Sequence, residues 1–115
     1  VNGYGAVLER ITRVPGVRGA MLVSVRDGLM VSDQLVEGLK GAAVAALAAS
    51  LAQRVSRALA AAGAGAPAFW HLHASDGGIL AVTAPEDLLV VAITAPDVNA
   101  GLVRLELLRA AEAVA

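Results

Sequence analysis

Cysteine is absent from the 115 residues, which removes disulfides, thiol nucleophiles and thiolate metal sites together. Aromatic residues amount to 3 %, a single Phe, Trp and Tyr, too few to wall a pocket with stacked rings. Neither sign of charge prevails: nine Lys and Arg stand against ten Asp and Glu, with no basic tail or block. Nucleic acid is therefore not expected as the main partner, because phosphate binding needs a concentrated positive face. Long hydrophobic runs are missing too. The longest uncharged helical run, Gly41 to Ala52, lies between Lys40 and Arg54 and is too short to span a bilayer. Val1-Asn2-Gly3-Tyr4-Gly5 lacks the basic and apolar regions of a signal peptide. The expectation is a cytoplasmic protein with no direct membrane insertion.

Catalytic signatures are also lacking. There is no G-x-S-x-G, no phosphate-cradling G-x-x-x-x-G-K-[ST] and no H-E-x-x-H. Gly3-Tyr4-Gly5 and Gly63-Ala64-Gly65 do not follow strands and read as a loose terminus and a helix stop, not dinucleotide loops. No catalytic residue, cofactor or metal is expected.

What the chain does have is apolar material, 57 % of it, mostly small and aliphatic. A length of 115 residues fits a single domain, 1–115, able to bury roughly two-thirds of its unfolded surface. So much apolar content in so short a chain points to one surface being covered by another chain.

Hydropathy patterning divides the chain into eight elements. Residues 6–14 form a short amphipathic helix with Val7, Ile11 and Val14 on one face, stopped by Pro15-Gly16. Arg18 to Val25 is a strand apolar at consecutive positions, hence covered on both faces. Arg26-Asp27-Gly28 marks a hairpin, because Asp-Gly tolerates positive φ. Leu29 to Leu35 returns, with Leu29, Val31 and Leu35 on one side. A long alanine-rich helix follows from about Gly41 to Ala62. Val44, Leu47, Leu51, Val55 and Leu59 share one stripe, the expected core face. Ala42, Ala45, Ala49, Ala52, Ser56 and Ala60 line the opposite face, smooth enough for a second helix to approach closely. Ala68 to Ser75, Ile79 to Thr83 and Leu88 to Thr94 are three further strands, the first two joined by a turn at Asp76-Gly77-Gly78. Asp97 or Asn99 caps a final helix to about Val114, with Val103, Leu107, Ala110 and Val114 inward and Leu102, Leu105 and Leu108 widening the apolar arc. The order is α-β-β-α-β-β-β-α, which predicts an α/β (α+β) fold: a five-stranded antiparallel sheet sandwiched between helices.

His71 and His73, two apart in a strand, point to one face at a spacing able to chelate a metal, with Asp76 in the next turn. A working site needs three or more convergent ligands, so both are read as one face of a partly exposed strand. Phe69 and Trp70 stand side by side in that strand. If the strand is a sheet edge it must be protected or paired, and pairing it while packing the alanine face would bury both liabilities in one symmetric dimer.

These patterns resemble the roadblock family, roadblock/profilin-like in fold, including its bacterial MglB-like members. The resemblance rests on Ile11-Thr12-Arg13-Val14-Pro15-Gly16-Val17-Arg18-Gly19-Ala20 leading into Leu22-Val23-Ser24-Val25-Arg26-Asp27-Gly28. It continues through Ala45-Ala46-Leu47-Ala48-Ala49-Ser50-Leu51, then Leu88-Leu89-Val90-Val91 and Asn99-Ala100-Gly101-Leu102-Val103-Arg104-Leu105. The resemblance implies a homodimer joined through the central helix and the strand after it, in line with Ala42, Ala45, Ala49, Ala52, Ser56, Phe69 and Trp70 as interface. It also implies a non-catalytic regulator or scaffold of a Ras-like small GTPase, seated over the paired central helices at Gln53, Arg54 and Arg57, whose guanidinium groups suit carboxylates. The alternatives are a small-ligand sensing domain of PAS type, which needs an internal cavity, and, more remotely, a hydrolase or metal enzyme using His71 and His73.

Overall fold

The computed structural model describes residues 4–114. Helix α1 spans Tyr4–Thr12 and is followed by β1 (Val17–Ser24) and β2 (Met30–Leu35). Helix α2 (Gly41–Ala61) leads to β3 (Phe69–Ala74), β4 (Gly77–Ala84), β5 (Leu88–Thr94) and α3 (Ala100–Ala113). The eight elements come in the expected order. Of Gly3-Tyr4-Gly5, Tyr4 and Gly5 belong to α1, not to a loose terminus, and Gly3 lies outside the described residues with Val1, Asn2 and Ala115.

The strands form one sheet in the order β2-β1-β5-β4-β3, antiparallel throughout. Alternation along each strand divides its side chains between two cores. Ala20, Leu22, Leu80, Val82, Val90 and Ala92 meet α1 and α3 on one face, with Leu8, Ile11, Val103 and Leu107. Met21, Val23, Ala81, Leu89 and Val91 meet α2 on the other. The sheet is buried on both sides, as the unbroken apolar runs in β1 and β5 require. The result is the three-layer α/β/α sandwich.

Helix α2 crosses its face diagonally. It starts against β2, where a Cβ on Gly41 would lie 2.5 Å from Leu35 Cδ1, and its C-terminal turn leads to the start of β3 at the other edge. Its inward side is Gly41, Ala45, Ala48, Ala49 and Ala52. This inverts the expected orientation. The alanine face is the core face, and the aliphatic stripe runs along one flank: Val44, Leu51, Val55 and Leu59 are half-buried and Leu47 is 71 % exposed. Small residues let the helix lie close to a sheet already filled by Met21, Val23, Leu89 and Val91.

Three smaller differences have local causes. The β1–β2 register shifts at Leu22/Val23, so Ser32 opposes Leu22, Met30 opposes Val23, and Val31 is left over. This bulge breaks the alternation of β2: Met30 and Leu35 both pack toward α2, and Val31 is exposed. In α1 the buried residues are Leu8 and Ile11, with Val7 only half-buried. In α3, Val103, Leu107 and Ala110 point inward as expected, but Leu102, Leu105 and Leu108 are exposed. Asn99 is the N-cap, its side chain accepting from Leu102 N at 3.1 Å.

Candidate functional site

The residues of interest gather on α2 and the neighbouring edge of the sheet. Ala45, Ala49 and Ala52, expected in a dimer contact, are 0 %, 2 % and 7 % exposed beneath the helix. That expectation is corrected: the chain's own sheet already covers them. Ala42 and Ser56 are exposed. Phe69 and Trp70 point to opposite faces of β3. Phe69 packs with the α1/α3 core, the Arg104 guanidinium 4.9 Å from its ring centroid, and Trp70 packs on the α2 side.

The two sheet edges differ in character. β2 carries the bulge and an exposed Asp33, both of which discourage another strand from pairing. β3 pairs with β4 in unbroken register from Phe69 to Ala74, and Phe-Trp-His-Leu-His-Ala holds no proline, lysine or acid. Leu72 on its α2 side is 47 % exposed beside Ile79, its partner across the ladder. Val44, Leu47, Leu51 and Val55 run along one flank of α2, Leu47 exposed and the others half-buried.

The other flank of α2 meets the β1–β2 hairpin. There Gln53 Nε2 donates to Val25 O at 2.8 Å, tying the helix to the β1–β2 hairpin. Gly28, at φ +72°, makes that hairpin turn. Asp27 accepts from Leu29 N at 3.2 Å, and this bond first, then one from Ser24, holds its carboxyl below the usual carboxylate range. The β4–β5 turn lies alongside, with Glu86 and Asp87 at φ 64° and 59° and Asp87 Oδ2 3.2 Å from Arg26 Nη2.

Between this flank and the sheet lies a crevice of about 600 Å³ lined by Val25, Ala52, Gln53, Ser56, Arg57, Pro67, Trp70 and Leu89, among others. Trp70 lends its ring to the lining, while its Nε1 is buried out of solvent with no hydrogen-bond partner among the described residues. An unpaired buried donor costs about 1–3 kcal/mol, and among the described residues no other buried side-chain nitrogen or oxygen lacks a partner. Neither Arg54 nor Arg57 has a hydrogen-bond or ion-pair partner among the described residues, and both are exposed. The sequence singled out Gln53, Arg54, Arg57 and Trp70 but did not bring Trp70 to the same hollow as Gln53 and Arg57. Only the rotation of α2 about its axis does that, and no local pattern encodes the angle.

His71 and His73 lie on one face, as the spacing requires, with ring centroids 5.9 Å apart. His73 Nε2 is 3.3 Å from Pro96 O, which ties β3 to the loop before α3. Among the described residues no group of three or more His, Cys, Asp or Glu could hold a metal ion. Likewise, none of the described helices is long and apolar enough to cross a membrane.

The fold and this surface together define a class: an α/β/α domain with one guarded sheet edge, one open edge, and a helix whose outer flank is apolar. The chain belongs to the roadblock family, since the Roadblock/LC7 domain model matches residues 4–94. It is 33 % identical over 108 residues to uncharacterized protein MJ1340 of Methanocaldococcus jannaschii, covering 94 % of this chain and 93 % of that protein. Its fold is similar to Myxococcus xanthus MglB, with a TM-score of 0.87 at 18 % identity over 96 % of this chain and 90 % of that one. It is also similar to an MglB structure described as having a tetrameric arrangement, with a TM-score of 0.87 at 25 % identity over 96 % and 83 % of the two chains. The sensory-domain alternative gives way to this family assignment.

Proposed function

We propose that this chain is a non-catalytic, homodimeric regulator or scaffold that binds a Ras-like small GTPase. The observation that carries the pairing is the open β3 edge, in unbroken register and without proline, lysine or acid, together with the exposed Leu72 on its α2 side and the exposed Leu47 of α2. Two copies related by a two-fold axis through β3 would continue one sheet into the other, with Phe69 and Trp70 contributing their main chain. The same rotation lays the α2 helices antiparallel on one face and brings Leu47 and Leu51 of each against the other, over Leu72. The contact thus uses large aliphatics on the flank in place of the buried Ala45, Ala49 and Ala52. Ala42 and Ser56, on the other flank, stay outside it.

Family membership and the MglB-like fold support the regulator reading, since the roadblock resemblance implies work on a Ras-like GTPase. The paired helices would present Arg54 and Arg57 outward, unpaired and available for carboxylates on that partner. Gln53 joins them at the rim, although its amide nitrogen is already committed to Val25.

Light scattering of the wild type and of Leu47→Arg/Leu72→Arg tests the pairing. The expected masses are a dimer and a monomer, with unchanged circular dichroism. A wild type that remains monomeric at high concentration sinks the dimer. For the partner, purified Ras-like GTPases from the same genome are passed over the immobilised dimer in GDP and GTP forms. Binding should be lost in Arg54→Glu/Arg57→Glu while the dimer mass is kept. Failure of every such GTPase to bind in either state overturns the partner reading.

A further inference from the structure

From the crevice beside α2 we infer a second site, one for a small amphipathic carboxylate. The lining divides in two by chemistry. Val25, Ala52, Pro67, Leu89 and the Trp70 ring form an apolar wall, enough for an aliphatic or cyclic body in a volume of about 600 Å³. Its uncommitted polar groups are chiefly donors. The guanidinium of Arg57 can only donate and is free of ion pairs. The Ser56 hydroxyl adds a second donor.

The one acid in the lining, Asp87, is held by Arg26 at 3.2 Å, and the amide nitrogen of Gln53 is held by Val25. The ligand that satisfies such a hollow brings acceptor oxygens and a negative charge on an apolar body, which is an amphipathic carboxylate. Its head would take Arg57 and the Ser56 hydroxyl, and its tail would cover the Trp70, Leu89 and Val25 wall.

The crevice opens on the flank of α2 opposite Leu47 and Leu51. It therefore stays accessible in the proposed dimer, and the inference does not depend on that dimer forming. Gln53 and Arg57 also belong to the proposed partner surface, so an occupied crevice would alter what the helix offers there.

Trp70 is the chain's only tryptophan, and its emission reports the site directly. The probes are sodium octanoate, 1-octanol with the same chain but no charge, and sodium acetate with the charge but no chain. Octanoate should change the emission saturably, with octanol at least tenfold weaker and acetate silent. Arg57→Gln should weaken octanoate about tenfold and leave octanol unchanged. No saturable change with octanoate, or octanol binding as tightly as octanoate, overturns the site.

Discussion

Glu86 and Asp87 hold consecutive left-handed conformations in the β4–β5 turn, at φ 64° and 59°. Ala84 pairs with Leu88, so Pro85, Glu86 and Asp87 form a three-residue loop whose last two positions hold the positive φ that Asn and Gly adopt most easily. An acidic pair there keeps the backbone strained at a cost of about 1–3 kcal/mol per residue. Replacing the pair by Glu86→Asn/Asp87→Gly relieves the strain and gives up the exposed Arg26–Asp87 ion pair, which contributes little in solvent. The double variant is expected to gain about 1–2 kcal/mol in urea unfolding, since relief offsets the lost pair. A loss of stability would mean that Asp87 does more for the hairpin than its exposure indicates. The turn type was legible only in part from residues: Ala-Pro-Glu-Asp says turn, but nothing in Glu-Asp says left-handed.

At the scale of elements, α2 shows where periodicity stops being informative. Two stripes were visible, one aliphatic and one of alanine, and hydrophobicity alone favoured the aliphatic one as core. The sheet beneath was already filled by Met21, Val23, Leu89 and Val91, so space favoured the small residues. Steric room decided the rotation, and Leu47 was left 71 % exposed. Ala49→Leu should therefore destabilise the domain by about 1–3 kcal/mol through overpacking, read as a lower urea midpoint. Leu47→Ala in the Leu72→Arg background, where pairing is broken, should leave stability within about 0.5 kcal/mol. The opposite ranking would mean that the aliphatic stripe faces the sheet after all. β2 teaches the same lesson at one residue: a bulge at Val31 reversed the faces of half a strand, and alternation in the sequence has no mark for it.

The whole molecule is two cores sharing one sheet. Every strand from β1 to β5 contributes to at least one core, and the central strands β1, β5 and β4 to both. Unfolding either layer would expose one full face of those strands, so the layers should melt together. Trp70 reports the α2 layer, and far-ultraviolet circular dichroism reports all three helices. The two urea transitions are expected to coincide. An earlier Trp70 transition would show that α2 detaches alone, and would move the partner surface onto a separately mobile element.

Composition and local pattern determined a great deal by themselves. Apolar runs in β1 and β5 specified strands covered on both faces, Asp27-Gly28 specified the first hairpin, Asp97 or Asn99 marked the start of the last helix, and the order of elements specified the sandwich. These are readable because each rests on neighbours in the chain, where turn chemistry, capping and alternation operate. The tertiary structure alone decided which side of α2 meets the sheet, which sheet edge stays open, and that Trp70, Gln53 and Arg57 share one hollow. Those outcomes depend on volumes contributed by strands far apart in sequence, and a helix carries no local mark of the surface it will be packed against.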